Sequence, residues 1–456
     1  MSGYPISLTA LSVSDGKSAP HGLTELRGTT FSDGTSAPAS GTIRFLDFLN
    51  KSFGNTPTVY PARLHASYPA ADDQVGSSIS ISGNYAIAGA QFADPYGRSS
   101  AGAAYIFERT STTWVQREIL IASDATAGDS FGISVSISGD YAVIGASGAD
   151  PNGSSSGATY IFKKAAGGTS WSQQTKLTPA GAVPGDKFGE SVYISGLDVI
   201  IGASGADPNG SSSGAAYVFV RSGSDWSQQA KLTPTDGEFA DSFGISVSID
   251  GNYAVIGAYR EDPGGVSGAG SAYVFYRYST SWSQQAKLVA SDKGTNDQFG
   301  RSVSISGGYV IVGAAFETSL GSAAGSAYIF VRSGSSWSQQ AKLGASDTVS
   351  GDTFGKSVSI SSAGYAIIGA SGADPDGLSG AGAAYVYVRS GSSWSQQVKL
   401  ISPNPAGGGY FGTSVSIDGD RVVAGAPREY ISTVRGGSAH VFKRASGTAN
   451  WSNLTG

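Results

Sequence analysis

The sequence predicts an all-β protein built from seven like units, and three observations carry that prediction. The string "SWSQQAKL" stands at residues 281–288 and again at 336–343, with near copies starting at Ser170, Asp225 and Ser393. The pair Phe-Gly recurs at Phe131, Phe188, Phe243, Phe299, Phe354 and Phe411, with Val75-Gly76 as a variant first copy, at intervals of 55–57 residues. Of 456 residues 66 are glycine and only 14% are charged, which suits a turn-rich β protein better than a helical one.

Self-similarity at a fixed period is the mark of a repeat architecture. Seven tryptophans, Trp114, Trp171, Trp226, Trp282, Trp337, Trp394 and Trp451, keep the same rhythm, and each of the first six lies 17 residues before the next Phe-Gly. All length variation therefore falls between Phe and Trp. A segment whose register must not slip keeps its length, because a one-residue shift turns every side chain to the wrong face.

Each unit reads as four short strands, a to d. In the second, strand a is "ISVSIS", alternating Ile133, Val135 and Ile137 with serine. After the turn "GD", strand b is "YAVIGA", apolar on both faces, then come strand c, "ATYIFK", and strand d, "WSQQTKL". Simple pleating places Trp171, Gln173, Thr175 and Leu177 on one face of strand d, and Ser172, Gln174 and Lys176 on the other. The tryptophan is a packing wedge, one per unit, and the lysine faces solvent.

Seven four-stranded units of this length predict a seven-bladed β-propeller over residues 58–456, preceded by a small N-terminal arm at 1–57. "TVYPARL" at 58–64 aligns with "WSQQAKL", with Arg63 for lysine and Leu64 for leucine, and supplies a strand d before the first blade. "WSNLTG" at the C-terminus is another candidate. That makes eight strands d for seven blades, so one is surplus or pairs with a neighbouring molecule.

A net charge of −5 does not suit a general nucleic-acid binder, and the absence of cysteine excludes disulfides and thiolate metal sites. "MSGYPISLTA" lacks the basic start and apolar core of a secretory signal, and no run of 18 apolar residues is present to insert in a membrane.

The meander sends the b–c and d–a loops to one rim of the disc and the a–b and c–d turns to the other. The first rim is expected to be acidic. It carries Asp-Pro at Asp94, Asp150, Asp207, Asp262 and Asp374, and an Asp two residues before Phe at Asp129, Asp186, Asp241, Asp297 and Asp352, with Asp73 in the first copy. The opposite rim is expected to be basic, with a cation in every copy four residues after the strand-c tyrosine (or His440): Arg109, Lys164, Arg221, Arg277, Arg332, Arg389 and Arg444. Such residues serve as turn formers and edge protectors. They are also the groups through which discs would stack head to tail or dock on a charged lattice.

The Phe-Gly pair, followed about 14 residues later by Gly-Ala, resembles FG-GAP repeats, the units of integrin α-subunit propellers and of many bacterial and viral surface proteins. The second half stands at Gly89-Ala90, Gly145-Ala146, Gly202-Ala203, Gly257-Ala258, Gly313-Ala314, Gly369-Ala370 and Gly425-Ala426, and only the last adds the proline, Pro427. The resemblance covers 58–456 and implies a propeller used for adhesion or ligand display. Integrin-like repeats often carry a calcium loop between strands a and b, but here that turn is only "SGDY" or similar. No cofactor is expected. Calcium, which takes six to eight oxygens, has its best prospects in the "DPDG" and "DPNG" loops, at Asp374 with Asp376 and Asp150 with Asn152. In residues 1–57, "SDGKSAP" recurs as "SDGTSAP" before "SGTIRFLDFLNKSF", which is similar to short N-terminal segments of phage and large algal virus structural proteins and implies an anchoring arm.

No Ser/His/Asp elbow, phosphate-cradling loop or metal-ligand spacing is present, and near-identical copies do not make the asymmetric constellation that catalysis needs. The expectation is a non-enzymatic surface structural or adhesion protein, on a virion or outside a cell, with protein partners or self-association. The alternative is a bacterial or algal extracellular module binding glycans or proteins. A polysaccharide-acting enzyme is third, and its carboxylates would come from the atypical loops at Arg260–Asp262, Glu317 and Arg428–Glu429. Asn152 and Asn209 head "NGS" sequons in b–c loops.

Overall fold

The structure, a computed structural model, describes residues 62–111, 113–444 and 451–453. The expected arm, residues 1–57, lies outside them. Seven antiparallel sheets follow one another, each a meander in the order a-b-c-d. In blade 2 the strands are Ser134–Ser138, Tyr141–Ala146, Ala158–Lys164 and Trp171–Leu177. Strand a of each blade packs on strand a of the next, and that of blade 7 (Val415–Asp418) returns to that of blade 1 (Ser78–Ser82), so the units close into a seven-bladed propeller. No helix among the described residues is long and apolar enough to cross a membrane.

Strand b is buried along its length, as its two-sided apolar sequence requires, and the core lies between successive blades. The Phe-Gly phenylalanine anchors it. Phe131 is fully buried, edge-on to Tyr160 at 5.5 Å and Phe162 at 6.0 Å, and five further blades repeat the arrangement, with His440 for the tyrosine in blade 7. The two glycines of the motif are where neighbouring backbones touch. A Cβ on Gly145 would overlap the carbonyl oxygen of Gly189 in the next blade. Gly132, at φ +91°, is denied a side chain both by its dihedral angle and by the carbonyl of Ala103 in the preceding blade.

The innermost strand presents a sheet edge to the axis, and a ring of serines covers it. Ile137 N donates to Ser80 Oγ of the preceding blade at 3.2 Å, Ile194 N to Ser136 Oγ at 3.1 Å, and the same bond joins every later pair of blades round to Ile81 N and Ser416 Oγ except blades 3 and 4, where Tyr193 replaces the serine. Edge N–H groups that water or another chain would otherwise claim are bonded from blade to blade.

Strand d departs from simple pleating. A β-bulge between Ile161 and Phe162 leaves Gln174 unopposed, and the same shift occurs in blades 1 to 6. The bulge aims the two glutamines in different directions. Gln173 accepts from Ser123 N in the loop before its own blade (2.9 Å), and Gln174 accepts from Trp226 Nε1 of the next blade (3.2 Å).

Neither candidate for the eighth strand d is surplus. Ala62–Leu64 and Trp451–Asn453 both pair with strand c of blade 7 (Ser438–Arg444). Leu64 lies opposite Ala439 and Ala62 opposite Val441, while Asn453 lies opposite Phe442 and Trp451 opposite Arg444. In blade 3, Leu232, Ala230, Gln228 and Trp226 take the matching positions, and the shift falls between Val218 and Phe219. The seventh strand d is therefore assembled from both ends of the chain, with its break where every other blade has its bulge. This replaces the expectation of a spare strand.

Candidate functional site

The cations expected on the basic rim mostly reach sideways to the preceding blade. Arg221 lies over Tyr141 with its guanidinium carbon 4.5 Å from the ring centroid. Arg332 covers Tyr253, Arg389 covers Tyr309 and Arg444 covers Tyr365 at 4.5–4.7 Å, and Lys164 stands 5.5 Å from Tyr85. Where blade 3 has Asp198 in place of the tyrosine, Arg277 makes a two-pronged ion pair at 2.7 Å. The same tyrosines receive the tryptophan of the next blade edge-on, as Tyr141 does Trp226 at 6.0 Å. From blade 3 to blade 7 the indole N–H donates to the second glutamine of the blade before, at 2.6–3.2 Å. Cation, tyrosine, tryptophan and glutamine form one clasp between blades, held by cation–π attraction and burial. Arg109 is the exception. The position facing it across the 7/1 seam is Arg421, so it turns to Asn84 Oδ1 (2.6 Å) and the Ser111 carbonyl within its own blade.

The carboxylates before Phe-Gly are a correction to the expected acidic rim. Asp73, Asp129, Asp186, Asp241, Asp297 and Asp352 are only 3–6% exposed. Each accepts the backbone N–H three residues earlier, as Asp129 does from Thr126 (2.7 Å) and Asp186 from Val183 (2.9 Å). A d–a loop that turns this tightly needs an acceptor inside the bend, and the short carboxylate supplies it. Burial pushes the carboxyls of Asp73, Asp186, Asp297 and Asp352 up, and that of Asp241, with Glu261 and Glu238 nearby, up to about 6.

The Asp-Pro carboxylates are exposed but likewise engaged with backbone. Asp150 Oδ1 accepts from Ser155 N (2.6 Å) and Asp374 Oδ1 from Gly380 N (2.7 Å). Asp376, at φ +56°, forms the turn after Pro375. Asn152 donates its backbone N–H to Ser156 Oγ at an exposed loop tip, as Asn209 does to Ser213 Oγ. Asp374 and Asp376 share a loop of blade 6, and Asp150 and Asn152 one of blade 2, so the four do not meet. Among the described residues no group of three or more His, Cys, Asp or Glu is placed to hold a metal ion.

The lysine of strand d is not free in four blades. Lys176, Lys287, Lys342 and Lys399 pair with Asp124, Asp236, Asp292 and Asp347 of the preceding d–a loop at 2.6–2.7 Å. Burial opposes ionisation of these carboxyls, but the bond from lysine, joined at Asp124, Asp292 and Asp347 by one from a strand-c tyrosine, outweighs it and holds them below the usual range.

The atypical loops place a buried glutamate at one repeat position in blades 4, 5 and 7. Glu261 bonds Ser271 (2.5 Å) and Lys287 (2.8 Å), and Glu317 bonds Ser326 (2.8 Å) with Lys342 at 3.2 Å. Glu429 meets Ser402 at 2.5 Å, His440 at 2.6 Å, Arg63 at 3.3 Å and Ser438. Burial alone would raise the Glu429 carboxyl, but the charge and hydrogen bond of His440, with Arg63 and Ser402, hold it at about 2. The other blades have alanine at both positions, as in Ala149 with Ala158. Glutamate and serine are thus exchanged as a pair, a signal that only an alignment of the seven copies position by position brings out. Arg260 and Arg428, beside two of these glutamates, lie over Tyr259 and Tyr410 at 5.1 and 5.5 Å.

Two surfaces remain open. The axial channel, of about 480 Å³, is lined by strands a and the a–b turns. The rim of b–c and d–a loops carries most of the large exposed apolar side chains, among them Tyr68 (89% exposed), Tyr96 (81%), Phe239 (73%), Tyr430 and Phe92.

Seven four-stranded blades locked by repeated inter-blade clasps define a propeller of the kind that presents loops on a rigid disc. The FG-GAP repeat model matches residues 60–107, 114–162, 171–219, 226–275, 282–330, 337–387 and 394–442, and the chain belongs to the FG-GAP repeat family. Among solved structures, the chain is similar to Sqt1 of Saccharomyces cerevisiae, at 13% identity and TM-score 0.48, over 88% of this chain and 89% of that one. No curated protein matches the sequence.

Proposed function

We propose that this chain is a non-enzymatic surface structural or adhesion protein, of the kind carried on a virion or outside a cell, and that it binds a protein or glycan partner through the b–c/d–a rim. The observation that carries this reading is the distribution of exposed aromatic side chains. Tyr68, Phe92, Tyr96, Phe239 and Tyr430 stand on that rim, and Tyr278 alone among the exposed aromatic side chains of the described residues stands on the other. Rigid aromatic groups on a preformed frame lose little entropy on binding and dominate interface energies. Tyr430 and Tyr68 lie in adjoining loops, because Asp72 N bonds the Arg435 carbonyl, and Phe92 and Tyr96 belong to the next blade. The aromatic groups therefore concentrate around the 7/1 seam. Stacking of discs through the two charged sets is less favoured, since it would compete with the clasps and turns that already hold those charges.

A glycan array and a cell-surface binding assay with the full chain test the proposal. Replacing Tyr68, Tyr96 and Tyr430 together with serine is expected to weaken capture at least about tenfold. Capture that survives this variant but fails with Tyr278→Ser would assign the partner to the opposite rim and defeat the reading. Sedimentation across ionic strength checks self-association, which is expected to be insensitive to salt.

A further inference from the structure

The repeat prescribes serine at two positions of strand a around the axis. The first ring runs from Ser80 to Ser416 and is broken only in blade 3, by Tyr193. The second, two residues on, runs from Ser82 to Ser361 and is broken only in blades 4 and 7, by Asp250 and Asp418. These three departures fall in different blades, and two of them, Tyr193 and Asp418, meet on the lining of the axial channel. Burial raises the pKa of the Tyr193 hydroxyl, and the charges of Asp250 and Asp418 act on it in the same direction.

The two aspartates are not exhausted by the fold. Asp418 Oδ2 accepts from Gly83 N (2.6 Å) and Asp250 Oδ2 from Gly307 N (2.9 Å), the task Ser82 performs for Gly139 N. Serine does that work without a charge, so the carboxylates add two negative charges that the backbone does not require. Neither enters an ion pair among the described residues, in contrast to Asp140, Asp198 and Asp420 on the same rim. Unpaired carboxylates at the mouth of a narrow cleft focus a negative potential into it and concentrate cations there. Two carboxylates do not make the six to eight oxygen ligands of calcium, and among the described residues no third acidic side chain completes a metal site. An ammonium group needs fewer partners: three acceptors for its N–H bonds, and an aromatic ring as additional support.

We propose that the channel's a–b end is a binding site for an ammonium group on a slender alkyl chain. Asp418, on the channel lining, takes its charge, Asp250 beside Tyr193 adds to the negative field, Tyr193 forms the wall, and the serine hydroxyl oxygens accept the remaining N–H bonds. The ammonium is supplied either by a free polyamine or by a lysine side chain of a protein partner. The site lies on the rim opposite the exposed aromatic groups and is independent of what they bind.

Calorimetric titration of the full chain at low ionic strength tests this, with spermidine and an end-blocked peptide bearing one lysine as probes and calcium chloride as a third titrant. The variants are Asp418→Ser, Asp250→Ser and Tyr193→Ser, each of which installs the residue other blades use there, and thermal unfolding checks that the fold is kept. One-to-one amine binding is expected, weakened at least about tenfold by Asp418→Ser and further by the double aspartate variant, and suppressed by about 0.5 M salt. Binding of spermidine alone identifies a free polyamine as the source, and binding of the peptide identifies a protein lysine. No heat with either amine overturns the proposal. So does amine binding that the double aspartate variant leaves unchanged, or binding of calcium at these residues in place of amines.

Discussion

If the seventh strand d is one strand supplied by two chain ends, damage to either end must open the same blade. Trp451→Ala removes an indole that is 8% exposed, bonded to Gln397 at 2.6 Å and edge-on to Tyr365 at 5.9 Å, the ring that also carries Arg444. Truncating a buried tryptophan costs about 3–5 kcal/mol. Because only three residues pair here, the half-strand can detach and limit the loss to about 2–4 kcal/mol. Leu64, 1% exposed at the other half, is expected to cost about 2–5 kcal/mol as Leu64→Ala. Residues on one cooperative element do not contribute independently, so the double variant should cost less than the sum, by about 1 kcal/mol or more. Urea unfolding gives the energies, and amide exchange at Phe442–Arg444 reports whether strand c of blade 7 is exposed. Trp171→Ala, 6% exposed in a continuous strand d, is the control, expected at the upper end of the range. A cost below about 0.5 kcal/mol for Trp451→Ala, or full additivity with Leu64→Ala, would refute the split-strand account.

Three further outcomes are expected. Gly257→Ala, whose Cβ would overlap the Gly300 carbonyl, should cost more than about 3 kcal/mol or abolish folding, whereas Gly251→Ala, in an open turn at φ +57°, should cost about 1 kcal/mol by urea unfolding. Asp241, raised to about 6 in the fold, favours the folded state most below its unfolded value near 3.8, and that advantage is lost as pH rises through 6. Asp241→Asn should therefore gain about 1–2 kcal/mol at pH 7.5 and nothing below about pH 4, as read from Tm against pH. Glu429, held at about 2, contributes stability that is complete above its ordinary value of 4.5 and disappears as pH falls through 2. Glu429→Gln should cost about 2–3 kcal/mol at pH 7, with a shrinking penalty in acid.

What lies within a blade was legible in the sequence, and what lies between blades was not. Alternating Ile and Ser in "SVSIS" announces strand a, and the two-sided apolar "YAVIGA" announces a buried strand b, because each pattern records burial along one strand. The second glutamine of "WSQQAKL" gives no such sign. Its partner is a tryptophan more than 50 residues away, and a bulge invisible in the pattern aims it there. Arg221 and Asp129 look like rim charges in the sequence for the same reason, since a charge at a strand end looks alike whether it meets water, Tyr141 or its own loop. Differences between copies were the better guide. Asp198 for tyrosine converts a cation–π contact into an ion pair, and glutamate and serine replace two alanines together. The meeting of Tyr193 and Asp418 on the channel lining was out of reach without the ring, because blades 3 and 7 face each other only across the axis.

The break in the seventh outer strand has an implication for how the chain is ordered. Six continuous strands bend at the point where the seventh is simply interrupted, so covalent linkage there is dispensable to the fold. A gene rearranged to begin after the bulge of another blade, with the present ends joined, should yield the same disc. Circular permutation would move the termini around the rim one sector at a time. The blade in which the break falls is then a choice of attachment point rather than a requirement of folding.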